Sequence, residues 1–124
     1  MFDCVAVGDS IAVGVGQALH CSVHAKVGAS STAIVSYARG NGFCIVSAGS
    51  NDPYNPNLRK NLEKIRSKLN SCDKLVWIIP QNGKAAAVVR SVAAKHGDYT
   101  VSFKAGPDGV HPKSYSELAN KVKR

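Results

Sequence analysis

No apolar run in this chain approaches the ~18 residues that a membrane-spanning helix needs. The N-terminus also lacks a basic start followed by a long apolar stretch and a small-residue cleavage site. No secretory leader is therefore read, and the chain is expected to be cytoplasmic when made. Aromatic residues make up only 6%, with no interleaving of aromatic and basic positions, so stacking on bases has little support and no nucleic-acid partner is expected. None of the four cysteines forms a CxxC pair or has zinc-like spacing with the histidines, so no metal site is expected. Cys4 and Cys44 lie inside apolar runs and read as buried thiols. For a chain that looks cytosolic when made, a disulfide framework is not expected. The stretch "GDSIAVGVG" at 8–16 has the glycines of a phosphate loop but not the Gly-Lys-Ser/Thr ending, and Gly14 and Gly16 fall inside a helix-like segment. Repeats, low-complexity segments and linkers are absent, and acidic residues are few, 8 against 16 Lys and Arg.

What the chain does have is enough apolar material, 44% of its 124 residues, for one compact domain spanning 1–124. Its formal charge of +8 favours anionic partners. Short apolar runs predict strands near 2–8, 22–27, 42–48, 74–79 and 98–102. Helices are predicted near 11–20, 31–39, 57–70, 84–96 and 113–123. The clearest is 57–70, where Leu58, Leu62, Ile65 and Leu69 share one face. Its basic residues Arg59, Lys60, Lys64, Arg66 and Lys68 read as a solvated face. Gly40 and Gly97 stand where helices should stop. Strict alternation of strand and helix predicts an α/β protein: a three-layer α/β/α, flavodoxin-like fold on a five-stranded parallel sheet of order 2-1-3-4-5.

In such a sheet ligands bind beyond the carboxyl ends of the strands, where strand order reverses. Ser10 follows strand 1, Gly28 strand 2, Gly49-Ser50-Asn51-Asp52 strand 3, and Asp108 and His111 strand 5, so all are expected on one edge. In isolation Ser10 reads equally well as a helix N-cap. Together these residues meet the needs of acyl transfer, which are a nucleophile, a base, a group that orients the base, and oxyanion donors. Ser10 can supply the hydroxyl and His111 the base. Asp108, three residues earlier in "DGVH", can reach one imidazole nitrogen and leave the other for Ser10. The donors would be the N–H groups of Ser10 and Gly28 and the side-chain amide of Asn51. Glycine at 28 is expected to remove a Cβ that would crowd the substrate.

"GDS" at 8–10, Gly28, "GSND" at 49–52 and "DGVH" at 108–111 resemble, in order, the four sequence blocks of the SGNH (GDSL) hydrolases. The resemblance implies serine-dependent cleavage of an ester or O-acetyl group without metal or organic cofactor. It assigns Ser10 as nucleophile, His111 as base and Asp108 as its orienter, with Ser10, Gly28 and Asn51 as the oxyanion hole. The chain is short for that family. A minimal enzyme should have an open site suited to a polymer, and its charge suits an anionic cell-wall polymer, as in a phage lysis-type enzyme or a bacterial wall esterase. The alternatives are a catalytically idle domain of this fold that binds carbohydrate or cell wall, and a general or lipid-directed carboxylesterase. Asp9 and Asp52 are expected to hold loops rather than react. His20, His24 and His96 read as ordinary, with His96 complementing a helix C-terminus.

Overall fold

The computed structural model describes residues 3–123. The expected first strand begins at Phe2, outside the described residues. Ten elements alternate: β1 (Cys4–Gly8), α1 (Ser10–Leu19), β2 (Ser22–Ala25), α2 (Ser31–Tyr37), β3 (Gly42–Ser47), α3 (Leu58–Ser67), β4 (Cys72–Ile78), α4 (Gly83–His96), β5 (Tyr99–Val101) and α5 (Tyr115–Lys123). The sheet order is β2-β1-β3-β4-β5, as the alternation predicts, and every pairing is parallel.

Side chains on successive strand residues point to opposite faces, and both faces here are covered. Val5 and Val7 of β1, Cys44 and Val46 of β3, and Leu75 and Trp77 of β4 meet the apolar sides of α2, α3 and α4. Cys4, Ile45 and Ile78 point the other way, onto Ile11 and Val15 of α1 and Leu118 and Val122 of α5. Burial on both sides explains why these strands read as continuous apolar runs. In α4, Ala85, Val89, Val92 and Ala93 are buried at helical spacing, and Gly97 ends the helix with a φ of 69°. Gly40 does not end α2, whose C-cap is Ala38. Among the described residues no helix is long and apolar enough to cross a membrane.

Two expectations are overturned here. The cysteines are not free thiols: Cys4 is bonded to Cys21 and Cys44 to Cys72. The physical reason is the topology. In each strand–helix–strand unit the helix returns the chain to the starting edge of the sheet. Cysteines near the starts of neighbouring parallel strands therefore come together, with Cα separations of 4.8 and 5.9 Å. The second concerns Arg66, which is not part of a solvated face. It makes a two-pronged ion pair with Asp98, Nε to Oδ2 at 2.8 Å and an η nitrogen to Oδ1 at 3.2 Å. Asp98 also accepts the Trp77 indole N–H at 3.0 Å, so a single carboxylate ties α3 and β4 to the turn before β5. Arg59, Lys60, Lys64 and Lys68 do remain exposed. His96 lies in the last turn of α4 as expected, but its partner is the Glu63 carboxylate, 2.6 Å away.

Candidate active site

The end of β1 decides where the serine goes. Gly8 has a φ of 138°, and a Cβ on it would lie 1.8 Å from the Ser47 carbonyl oxygen of β3. Only glycine lets the chain leave the sheet this close to its neighbour. The Gly8 carbonyl accepts bonds from the Tyr37 hydroxyl at 2.6 Å and the Lys26 N–H at 3.0 Å, and the Asp9 N–H donates to Ser47 O at 3.1 Å. Asp9, not Ser10, caps α1: its Oδ1 accepts the Ile11 N–H at 3.1 Å. With the cap filled by its neighbour, Ser10 is the first helical residue and its hydroxyl is free for another partner.

That partner is His111. Ser10 Oγ lies 2.8 Å from His111 Nε2. The histidine comes from a loop between β5 and α5, folded back on itself by the Ala105–Pro112 bridge and by bonds from Gly106 N to His111 O and from Lys113 N to Lys104 O, both 2.8 Å. Asp108 organises its tip: Oδ1 accepts the N–H groups of Val110 and His111, each at 2.9 Å, and Oδ2 lies 2.6 Å from His111 Nδ1. The Val110 N–H, then the imidazole and the His111 N–H, hold the Asp108 carboxyl down at about 2. An ionised carboxylate at Nδ1 accepts the ring proton there, which leaves the Nε2 lone pair facing the serine. The side chains of His111 and Asp108 are 44% and 54% exposed, so the site is open to water.

Gly28 and Asn51 lie on the loops after β2 and β3, the two strands that flank β1. The Gly28 φ is 77°, a left-handed conformation that itself favours glycine, and a Cβ there would meet no protein atom within 4 Å. Hydrogen bonding in this turn runs from Ala29 N to Lys26 O, and the Gly28 N–H takes no part in it. One N–H of the Asn51 amide donates to Ala29 O at 2.9 Å, which binds the two loops together and leaves its second N–H. Asp52 fixes the same junction. It accepts the Ser31 N–H at 3.0 Å, the Ser31 hydroxyl at 2.5 Å and the Asn55 amide at 3.0 Å, and Asn61 bonds Ser31 and Thr32 from below, each at 3.0 Å. Asp52 is thus a loop anchor at the start of α2, where a carboxylate also suits the helix dipole.

Asp9 is fully buried, and its Oδ2 has no hydrogen-bond partner among the described residues. Burial pushes its carboxyl up to about 6, only partly relieved by the neighbouring Ser47 hydroxyl and the helix N–H groups. Tyr37, Ser31 and Asn61 were not singled out by sequence. Nothing local marks them, because each acts on a residue more than 20 positions away. The capping role of Asp9 did have a signal, an aspartate directly before the first helical residue. Among the described residues no three His, Cys, Asp or Glu side chains gather as a metal-binding group.

No protein-family model and no curated protein matches the chain by sequence. Solved structures do match in fold. The C-terminal catalytic domain of a Streptococcus pneumoniae peptidoglycan O-acetyltransferase superposes with a TM-score of 0.59 and 16% identity, over 97% of this chain and 87% of that one. A GDSL-like lipase of Bacteroides thetaiotaomicron gives 0.63 and 15% identity over 98% and 83%. A candidate acylhydrolase of Bacteroides fragilis gives 0.64 and 17% over 98% and 88%. Sheet order, helix placement and these superpositions agree: the chain has the α/β/α fold of the SGNH (GDSL) hydrolases.

Proposed function

We propose that this protein is a serine esterase that removes an ester or O-acetyl group from a carbohydrate polymer. The hydrogen-bonded series Ser10–His111–Asp108 carries the proposal. In the first step Ser10 Oγ attacks the carbonyl carbon while His111 Nε2 takes its proton. Asp108 holds the imidazole and stabilises the imidazolium. The oxyanion is met by the Ser10 and Gly28 N–H groups and the second N–H of Asn51. Collapse expels the alcohol, which takes the proton back from His111 and leaves an acyl-serine. Water, activated by the same imidazole, then releases the acid and restores Ser10. No step in this cycle calls on a cofactor.

Two features support a wall-directed substrate. Sixteen Lys and Arg stand against 8 Asp and Glu, and the formal charge of +8 draws the protein toward an anionic wall polymer. Disulfides persist in oxidising surroundings, and two of them suit action outside the cytosol, at the cell wall. The likeness to an O-acetyltransferase domain favours a second reading, in which a sugar hydroxyl rather than water takes the acyl group from Ser10. The catalytically idle alternative is disfavoured by the aligned triad.

The test is hydrolysis of 4-nitrophenyl acetate and release of acetate from O-acetylated peptidoglycan and acetylated polysaccharides, with products read by mass spectrometry. Wild type should turn over, and Ser10→Ala should lose several orders of magnitude in rate. Equal, slow release by both proteins would reject the esterase. Adding a soluble oligosaccharide acceptor separates hydrolysis from transfer by the share of acetate found on sugar.

A further inference from the structure

Beside the triad lies a cavity of about 310 Å³ that the catalytic steps do not use. Ser50 and Pro53 of the loop after β3 form one wall, Gln81 and Asn82 before α4 another, and Gly109 and Val110 a third. The last two sit between Asp108 and His111, so whatever fills the cavity lies against the loop that carries the base. Its size is at the lower end for small-molecule sites, which begin near ~300 Å³. That is room for one ring rather than a folded chain.

The wall chemistry is mixed in a particular way. Pro53 and Val110 offer apolar surface, while Gln81 and Asn82 offer amides. A long acyl tail would strip water from Gln81 Oε1 and from the one N–H that each amide has left, and return no bond, at a cost of about 1–3 kcal/mol for each group left unpaired. A ring with hydroxyls on its edge and C–H groups on its face would satisfy both kinds of wall. The amides are also held in place. The Gln81 Nε2 donates to Phe103 O at 2.8 Å, and its Oε1 keeps its acceptor capacity. The Asn82 Oδ1 caps α4 by accepting from Lys84 N and Ala85 N at 2.9 and 3.1 Å.

Next in the chain to the lining residue Pro53, and bonded to the lining residue Asn82, stands Tyr54, 69% exposed, the most exposed aromatic among the described residues. It is fixed although exposed: the Asn82 amide donates to its hydroxyl at 3.0 Å, and Lys84 Nζ sits 5.6 Å from the ring centre. A large apolar ring left in water and tethered to a cavity wall is a preformed stacking surface, and pre-organisation lowers the ordering cost of binding.

We infer that this cavity and Tyr54 form a sugar subsite, in which one pyranose ring of the polymer stacks its C–H face on Tyr54 and bonds its hydroxyls to Gln81 and Asn82. The inference rests on the esterase reading for what the bound sugar is there to do, but the binding itself can be measured without turnover.

The experiment uses Ser10→Ala protein titrated with chitotetraose and cellotetraose, followed by NMR. Shifts are expected at Tyr54, at the Gln81 and Asn82 side-chain amides and at Val110. Tyr54→Ala in the same background should weaken binding at least ~10-fold, the order expected for loss of one aromatic contact. Tyr54→Phe keeps the ring and should stay within a few-fold of the parent. If neither sugar shifts these residues at millimolar concentration, or if Tyr54→Ala binds as well as the parent, the subsite is wrong. An unfolded Tyr54→Ala would show in its spectrum, and mapping the shifts on the parent and on Tyr54→Phe then decides. Wild-type cleavage of 4-nitrophenyl acetate separates the two ideas: activity without sugar binding removes only the subsite, and sugar binding without activity removes only the esterase.

Discussion

Replacing Asp9 by asparagine should change how stability depends on pH. In the native protein burial raises this carboxyl from 3.8 to about 6, and its Oδ2 finds no partner among the described residues. A group whose folded pKa is raised contributes stability below its unfolded pKa and loses it as pH rises through the folded value. For Asp9 the window runs from about 4 to about 7. With these two pKa values the contribution relative to pH 8 is about 1 kcal/mol at pH 5 and about 2 kcal/mol at pH 4, on the order of 3 kcal/mol in full. Asparagine keeps the Oδ1 that caps α1 and never ionises. The assay is urea unfolding of both proteins, disulfides intact, at pH 4, 5, 6, 7 and 8. Histidines and other carboxylates titrate in both proteins, so the difference between the two curves isolates Asp9. The variant should match or exceed wild type at pH 8 and lose that advantage by pH 4. Parallel curves, or a variant weaker at every pH, would refute the reasoning and make the Asp9 carboxylate a stabilising group.

Asn51→Ala should lower turnover of 4-nitrophenyl acetate by roughly 10²–10³-fold, the usual loss for one oxyanion donor. Its urea midpoint should fall only modestly, because a single half-buried amide bond to Ala29 is lost; unfolding with normal activity per folded molecule would make it a loop residue only. Reduction of Cys4–Cys21 and Cys44–Cys72, which close sequence separations of 17 and 28 residues, should cost about 3–4 kcal/mol each on chain-entropy reasoning. Both bonds lie at the edge of the sheet opposite Ser10, so activity per folded molecule should survive, and a matching loss of activity at unchanged stability would contradict that placement.

The sheet was legible because each strand is buried on both faces and shows as an apolar run between turn residues. From Val5–Val7, Cys44–Val46 and Leu75–Ile78 the order follows by topology alone. The meeting of Ser10, Asp108 and His111 was legible for the same reason, since they follow strands that end on one edge. What a local pattern cannot show is a partner far away in sequence. The Asp98 carboxylate that takes Arg66 out of the solvent belongs to a turn 32 residues on. The Tyr37 hydroxyl that holds Gly8 and the Asn61 amide beneath Ser31 look in sequence like ordinary helix residues. The disulfides run against the sequence reading because the lack of a leader points to a reducing compartment, where such bonds are not expected. Paired along neighbouring strand starts, Cys4 with Cys21 and Cys44 with Cys72, they follow from the same strand order that was predicted.

Covalent labelling tests the nucleophile most directly. The protein is incubated with a fluorophosphonate or with phenylmethylsulfonyl fluoride, and the adduct is located by intact-mass and peptide mass spectrometry. The triad geometry predicts one adduct, on Ser10 and on none of the other serines, that fails to form when His111→Ala removes the base 2.8 Å from its hydroxyl. A wild-type protein that stays unmodified while a control serine esterase is fully labelled, or an adduct on a different residue, would contradict it.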